Sequence, residues 1–140
     1  TRDRCLVQNQ AARHRLIQQH KDRIDAGKPS CLVGLASFAE GVDLPGDYLQ
    51  TVIIAKLPFA TPDNPIDAAL AEWIETKGGN PFMQITLPDA SVKLVQSCGR
   101  LIRTETDEGI IYLLDNRVYT KRYGQILLDA LPPFRRQGQD

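Results

Sequence analysis

Two arginines carry the strongest chemical signal in this chain. Arg100 and Arg103 close the run Leu94 to Arg103, Leu-Val-Gln-Ser-Cys-Gly-Arg-Leu-Ile-Arg. At roughly 100° per residue, their spacing puts both guanidinium groups on one helical face, where they can converge on a single anion. Lys93 and Gln96 share that side, with Gly99 beside them, while Leu94, Val95, Cys98, Leu101 and Ile102 form an opposite arc wide enough to pack on a sheet. Gly99 costs about 1 kcal/mol against Ala inside a helix. A phosphate or a partner's backbone passing close by would give it a reason. A solvated basic face on an amphipathic helix accounts for the same run, so the weight falls on what lies upstream.

Upstream, the apolar run Ser30 to Leu35 leads straight into Ser37-Phe38-Ala39-Glu40-Gly41-Val42-Asp43-Leu44-Pro45-Gly46. In open parallel sheets, ligands bind outside the carboxyl ends of the strands. A hydroxyl (Ser37), two carboxylates (Glu40, Asp43) and a flexible backbone (Gly41) are delivered to that edge. The competing reading is a loop in which Asp43 and Gly46 only form turns. Lys56 closes a second apolar run, Leu49 to Leu57. It is either a functional cation at a strand end or a lysine snorkelling from the sheet edge.

The elements that position these residues follow from periodicity and punctuation. Cys5 to Gln8 reads as a short strand, and Gln10 to Ala26 as a helix capped by Asn9. In it Leu16, Ile17, His20 and Ile24 make the packing stripe, and Arg13, Arg15, Lys21 and Arg23 look outward. Gly27 sits where a helix-ending glycine belongs, and Pro29 prevents continuation. Ser30 to Leu35 reads as a strand covered on both faces, and the β-branched Thr51 to Ala55 as another. A helix over Ile66 to Thr76, with Pro65 at its first position, presents Ile66, Ala69, Leu70, Trp73 and Ile74 as its stripe. Phe82 to Leu87 reads as extended, a candidate edge strand, before Pro88 opens the central helix with Asp89 or Ser91 as its cap. Ile110 to Leu114 is the last buried strand, and Lys121 to Leu131 a final helix stopped by Pro132. Strand, helix, strand, loop, strand, helix, helix, strand, helix describes an α/β fold, a three-layer parallel sheet open at its N-terminal side. Residues 1–134 make one domain, and 135–140 a polar tail.

Composition narrows the chemistry. The 140 residues carry 17 basic and 17 acidic side chains, so net charge is zero and any polyanion site must be a local patch. No apolar run approaches a membrane span and no signal-peptide segment opens the chain, which fits a cytoplasmic protein. Cys5, Cys31 and Cys98 read as reduced, buried thiols, and His14 and His20 as packing or surface residues. The chain contains no Gly-x-x-x-x-Gly-Lys-Ser/Thr phosphate loop and no acidic cluster to hold magnesium. An arginine pair with no cradle of its own makes sense as an element acting in trans, on a phosphoryl group gripped by another domain. The first residue is Thr1, which is expected for a piece of a longer chain.

Ser37 to Gly46 resembles motif V, and Gln-x-x-Gly-Arg-x-x-Arg over Gln96 to Arg103 resembles motif VI, of superfamily-two helicases. Lys-Leu-Pro-Phe, Gly-Arg-Leu-Ile-Arg and Leu-Leu-Asp-Ala-Leu-Pro extend the similarity to the XPD-like DinG family through nearly the whole chain. The resemblance implies most of the second RecA-like domain, of the phosphate-loop NTPase fold, in an ATP-dependent 5′–3′ DNA helicase of repair or replication. It implies that Arg100 and Arg103 reach the γ-phosphate across an interdomain cleft lined by Gln96 and Gly99. Gly41 and Asp43 would lie near the nucleotide, and Ser37, Glu40 and Lys56 toward DNA. ATP and Mg²⁺ would be held by the first RecA-like domain, whose motifs I, Ia, II and III are not in this sequence. A [4Fe-4S] cluster would sit on four cysteines there, at positions matching none of the three here. The implied partners are single-stranded and forked or displaced-strand DNA, and no membrane. Two rivals need no motor partner: a free-standing single-strand-binding module or adaptor, and a small nucleotide-binding regulatory domain. Zero net charge and the missing cradle weigh against both.

Overall fold

The computed structural model describes residues 4–60, 64–101 and 107–138. Its elements are β1 (Cys5–Val7), α1 (Arg13–Asp25), β2 (Cys31–Val33), α2 (Ala36–Ala39), β3 (Thr51–Ile54), α3 (Pro65–Thr76), α4 (Leu87–Cys98), β4 (Ile110–Leu113), α5 (Arg117–Thr120) and α6 (Gly124–Asp129). A 3₁₀ turn, Gly46–Tyr48, precedes β3, and a π-helical turn, Phe82–Thr86, leads into α4. The architecture is α/β, as the alternation of periods requires. Its strands are shorter than expected and form two pairs, β1 with β2 and β3 with β4. β1 and β2 run parallel, Cys5 opposite Cys31 and Val7 opposite Val33. In the other pair, Ile110 N–H donates to the Gln50 carbonyl and Leu114 N–H to that of Ile54. The partners advance together along both strands, so this pair is parallel too.

Two compact units divide the chain, residues 1–52 with 99–111, and residues 53–98 with 112–140. In the first, Leu6, Leu16, Phe38, Val42 and Leu44 form the core, with Ile17, Leu32, Tyr48 and Leu49 packed around it. The α1 stripe therefore faces inward as its spacing dictates. His20 is buried with it, Nε2 2.8 Å from the Tyr48 carbonyl and Nδ1 2.8 Å from the Ser30 hydroxyl. An imidazole protonated on Nε2 satisfies both bonds, which is a structural role. Gly27 ends α1 at φ +67°, the left-handed conformation that glycine adopts at little cost.

In the second unit α4 packs against α6, and Leu87, Ala90, Leu94, Val118 and Leu127 are buried. Gly124, which opens α6, is there for lack of a side chain: a Cβ would lie 1.9 Å from the Val118 carbonyl oxygen. The expected Lys121–Leu131 helix is shortened to α6, and α5 lies before it as a separate turn.

Several expectations are corrected. α1 begins at Arg13, because Asn9 adopts φ +74° and the Gln10 side chain accepts the Val7 N–H, spending both residues on a turn. Phe82 to Leu87 is helical rather than extended. Pro81 already has helical dihedrals and the Asn80 side chain accepts the Met83 N–H at 3.3 Å, so a local cap overrides the β-branched Ile85 and Thr86. Neither Asp89 nor Ser91 caps α4: Asp89 pairs with Lys93 at 2.8 Å, and the Ser91 hydroxyl donates to the Leu87 carbonyl. β2 and β4 are not covered on both faces, since Val33, Ile110, Tyr112 and Leu114 are exposed. The α3 stripe is not a packing stripe either. Only Ile74 is buried, and Trp73 is 59% exposed. Cys98 is buried, Cys5 half-buried, and Cys31 exposed, contrary to the reading of three buried thiols. Burial pushes the Cys98 thiol up to about 11.

Candidate functional site

The first unit brings Arg100, of the Gln96–Arg103 run, against the loop that follows Ser37. α2 is a single turn whose Phe38 enters the core, fixing where the following loop leaves. Gly34 must precede it, since a Cβ there would come within 2.8 Å of the Phe38 ring. Ser37 stays exposed on α2, and Glu40 is exposed at its C-terminal boundary. Gly41 then adopts φ +72°, a turn for which glycine is suited. Val42 and Leu44 drop into the core, and the alternation leaves Asp43 between them at the surface. Arg100 lies beyond the end of α4, with its Nη1 3.5 Å from the Val42 carbonyl oxygen. That distance is the long limit of a hydrogen bond. It sets the half-buried guanidinium against the peptide flanked by Gly41 and Asp43.

The placement of Arg100 differs from the helical-face reading. α4 ends at Cys98, and Gly99 and Arg100 form a turn, as a glycine's poor helix propensity favours. Spacing on a helix therefore does not aim Arg100. Arg103 lies outside the described residues. Gln96 is exposed on α4 and Lys56 exposed after β3, both in the second unit, whereas Ser37, Glu40, Gly41, Asp43, Gly99 and Arg100 belong to the first.

Arg13 is a site residue that periodicity missed. Read as an outward-facing cation of α1, it donates from Nη2 to the Glu40 carbonyl oxygen and lies 5.8 Å from the Phe38 ring centroid. It thus ties α1 to the loop carrying Gly41, where an added Cβ would sit 3.4 Å from the same nitrogen. No local signal distinguishes it from Arg15, because its partner lies 27 residues away.

The second unit has a constellation of its own where β3 and β4 end. Asp115, 9% exposed, accepts the Leu57 N–H at 2.8 Å and the fork of Arg117, from Nε at 2.9 Å and Nη2 at 2.6 Å. The Arg117 side chain, chiefly, and the Leu57 and Arg117 N–H groups hold this carboxyl well below the usual carboxylate range, against the opposing effect of burial. A carboxyl depressed in the folded state contributes stability above its unfolded value, near pH 4, and loses it as pH falls through the folded value. Asp115→Asn is therefore expected to flatten the decline of stability below about pH 4, measured as urea midpoints across pH. An unchanged acid profile would show that the pair is not coupled to folding.

Residues 1–134 match the helicase C-terminal domain family. This chain belongs to that family, in its DinG branch. The ATP-dependent DNA helicase DinG of Photobacterium profundum is 56% identical over 131 residues, which is 94% of this chain and 19% of that protein. Its counterpart in Escherichia coli (strain K12) is 46% identical over 129 residues, 92% of this chain and 18% of its own length. That of Salmonella typhimurium is 45% identical over 129 residues, covering the same shares. The chain thus spans about a fifth of these curated relatives. The contact at Val42 joins the loop after α2 to Arg100 within one unit. Among the described residues, no helix is long and apolar enough to cross a membrane.

Proposed function

We propose that this chain is the C-terminal part of the second RecA-like motor domain of a cytoplasmic ATP-dependent 5′–3′ DNA helicase in repair or replication, with residues 1–134 as the domain and 135–140 as its tail. The observation that carries the reading is the approach of Arg100 to the peptide between Gly41 and Asp43. It sets a guanidinium beside a glycine turn, the kind of edge that a nucleotide held by a neighbouring domain can meet. Arg100, joined by Arg103, donates to the γ-phosphate of ATP bound with Mg²⁺ in the first RecA-like domain, stabilising charge as it develops. Gln96 and Gly99 line the same cleft, Gly41 and Asp43 shape the loop beside it, and Ser37, Glu40 and Lys56 face single-stranded or forked DNA.

The cysteines here do not fit an iron–sulfur cluster. Cys5 and Cys31 stand opposite each other on paired strands and Cys98 is buried in the other unit. No three metal-ligating side chains converge among the described residues. A cluster, if the whole helicase carries one, belongs to other sequence.

The test is steady-state ATP turnover with and without single-stranded DNA. The purified chain is expected to hydrolyse no ATP, and the whole helicase to do so in a DNA-stimulated manner. Turnover by the chain alone would overturn the trans assignment.

A further inference from the structure

Asp115 and Arg117 do more than stabilise a turn, because they wall a cleft. An open depression of about 420 Å³ lies at the carboxyl ends of β3 and β4, lined by Ala55, Lys56, Leu114, Asp115, Asn116 and Arg117. All six belong to the second unit. Asp115 and Arg117 are matched charges at 2.6 Å, so they cancel at the cleft wall and leave Lys56 as its net positive charge. Lys56 and Asn116 are both exposed. The Leu57 N–H bond to Asp115 fixes the backbone directly after Lys56, so the clamp sets where the lysine emerges.

An aromatic surface adjoins the clamp. Arg117 stacks over Phe59, Cζ 5.3 Å from the ring centroid, and Phe59 packs with Phe82 and Tyr123 at 5.6 and 5.5 Å. The three rings are half-buried. A single cation beside half-exposed aromatic rings, on a wall whose other charges are satisfied, suits one phosphodiester with a base beside it. It suits a triphosphate poorly, since one net positive charge faces several negative ones.

We propose that this cleft is a phosphodiester seat for single-stranded nucleic acid. Lys56 and the Asn116 amide hold the phosphate, Asp115 and Arg117 position them, and Phe59 offers the base a stacking surface. The assignment rests on the reading of Lys56 as DNA-facing and extends it to residues outside the helicase motifs.

The experiment is a titration of the isotope-labelled chain with short oligothymidylate, followed by NMR, with Mg–ATP and inorganic phosphate as parallel arms. Oligothymidylate is expected to shift the signals of Lys56, Phe59, Asn116 and Arg117. Lys56→Ala and Lys56→Gln should weaken binding several-fold and lower the slope of log affinity against log salt by about 0.7, one single-strand phosphate contact. Phe59→Leu should weaken oligothymidylate but not inorganic phosphate. Retained spectral dispersion in each variant shows that it is folded. The seat is overturned if the wild-type chain shows no shifts there, if both Lys56 variants keep the wild-type affinity and slope, or if Mg–ATP moves these signals more than oligothymidylate does. The motor assignment fails separately, through unimpaired ATP hydrolysis in an Arg100 variant of the whole helicase.

Discussion

The whole helicase carrying Arg100→Ala is expected to hydrolyse ATP about 10³-fold more slowly or worse, while still binding single-stranded DNA. A loss of that size is about 4 kcal/mol of barrier, more than a single long hydrogen bond accounts for. Among the described residues it meets the Val42 carbonyl at 3.5 Å, a long bond, and the core beneath that loop is built from other side chains. A folding defect would depress DNA binding and hydrolysis together. An arginine acting on the reacting phosphate depresses hydrolysis alone. Arg100→Lys sharpens the comparison, since it keeps the charge and loses the planar fork, and is expected to recover little. If the alanine variant turned over ATP normally, Arg100 would be a structural cation and the proposed role would go with it.

The largest expected effect on stability lies in the second unit. Leu94 is fully buried on α4, and Leu127 of α6 is fully buried as well. Leu94→Ala removes the transfer energy of the lost methyl and methylene groups and leaves a cavity that α4 and α6 can only partly close. It is expected to cost about 2–5 kcal/mol, measured by urea unfolding. Domains are usually stable by only about 5–15 kcal/mol, so this variant should sit near the edge of folding. Val92→Ala, on the exposed side of the same helix, should change the midpoint little. Equal losses in both variants would mean that α4 is not held by the face that Leu94 occupies.

What the sequence showed in advance was what local chemistry decides. Pro65 takes the first position of α3 as its residue type requires, and the structure adds Asn64 as the cap, its side chain accepting the Ile66 N–H at 3.0 Å. Gly27 stops α1, and Leu16 and His20 turn inward because their spacing leaves no alternative face. Parallel pairing was legible too, from apolar runs separated by helices. The misses are of two kinds. Phe82 to Thr86 has the residues of a strand and the cap of a helix, and Asn80 with Pro81 decides the contest from outside the window that periodicity samples. At Gly99 the apolar arc continues in the sequence, but α4 stops, so Arg100 is not placed by a helical face.

The second kind of miss is long-range. Arg13 meets Glu40, and Asp115 meets Leu57, through bonds spanning 27 and 58 residues, which no pattern within an element encodes. The Asp115–Arg117 spacing does permit a local ion pair, and its place just after an apolar strand was the available clue. Ser37, Glu40, Gly41 and Asp43 stand out in the sequence because an apolar run ends before them, and the structure sets the Val42 carbonyl of that loop against Arg100.

The most direct measurement of the central claim is the affinity of the whole helicase for ADP with aluminium fluoride, beside its affinity for ADP, in wild type and in Arg100→Ala. A side chain that serves the transition state tightens only the complex that mimics it. The account predicts that the variant binds ADP as wild type does and loses the extra affinity for the fluoride complex. Equal affinity of both proteins for that complex would contradict it.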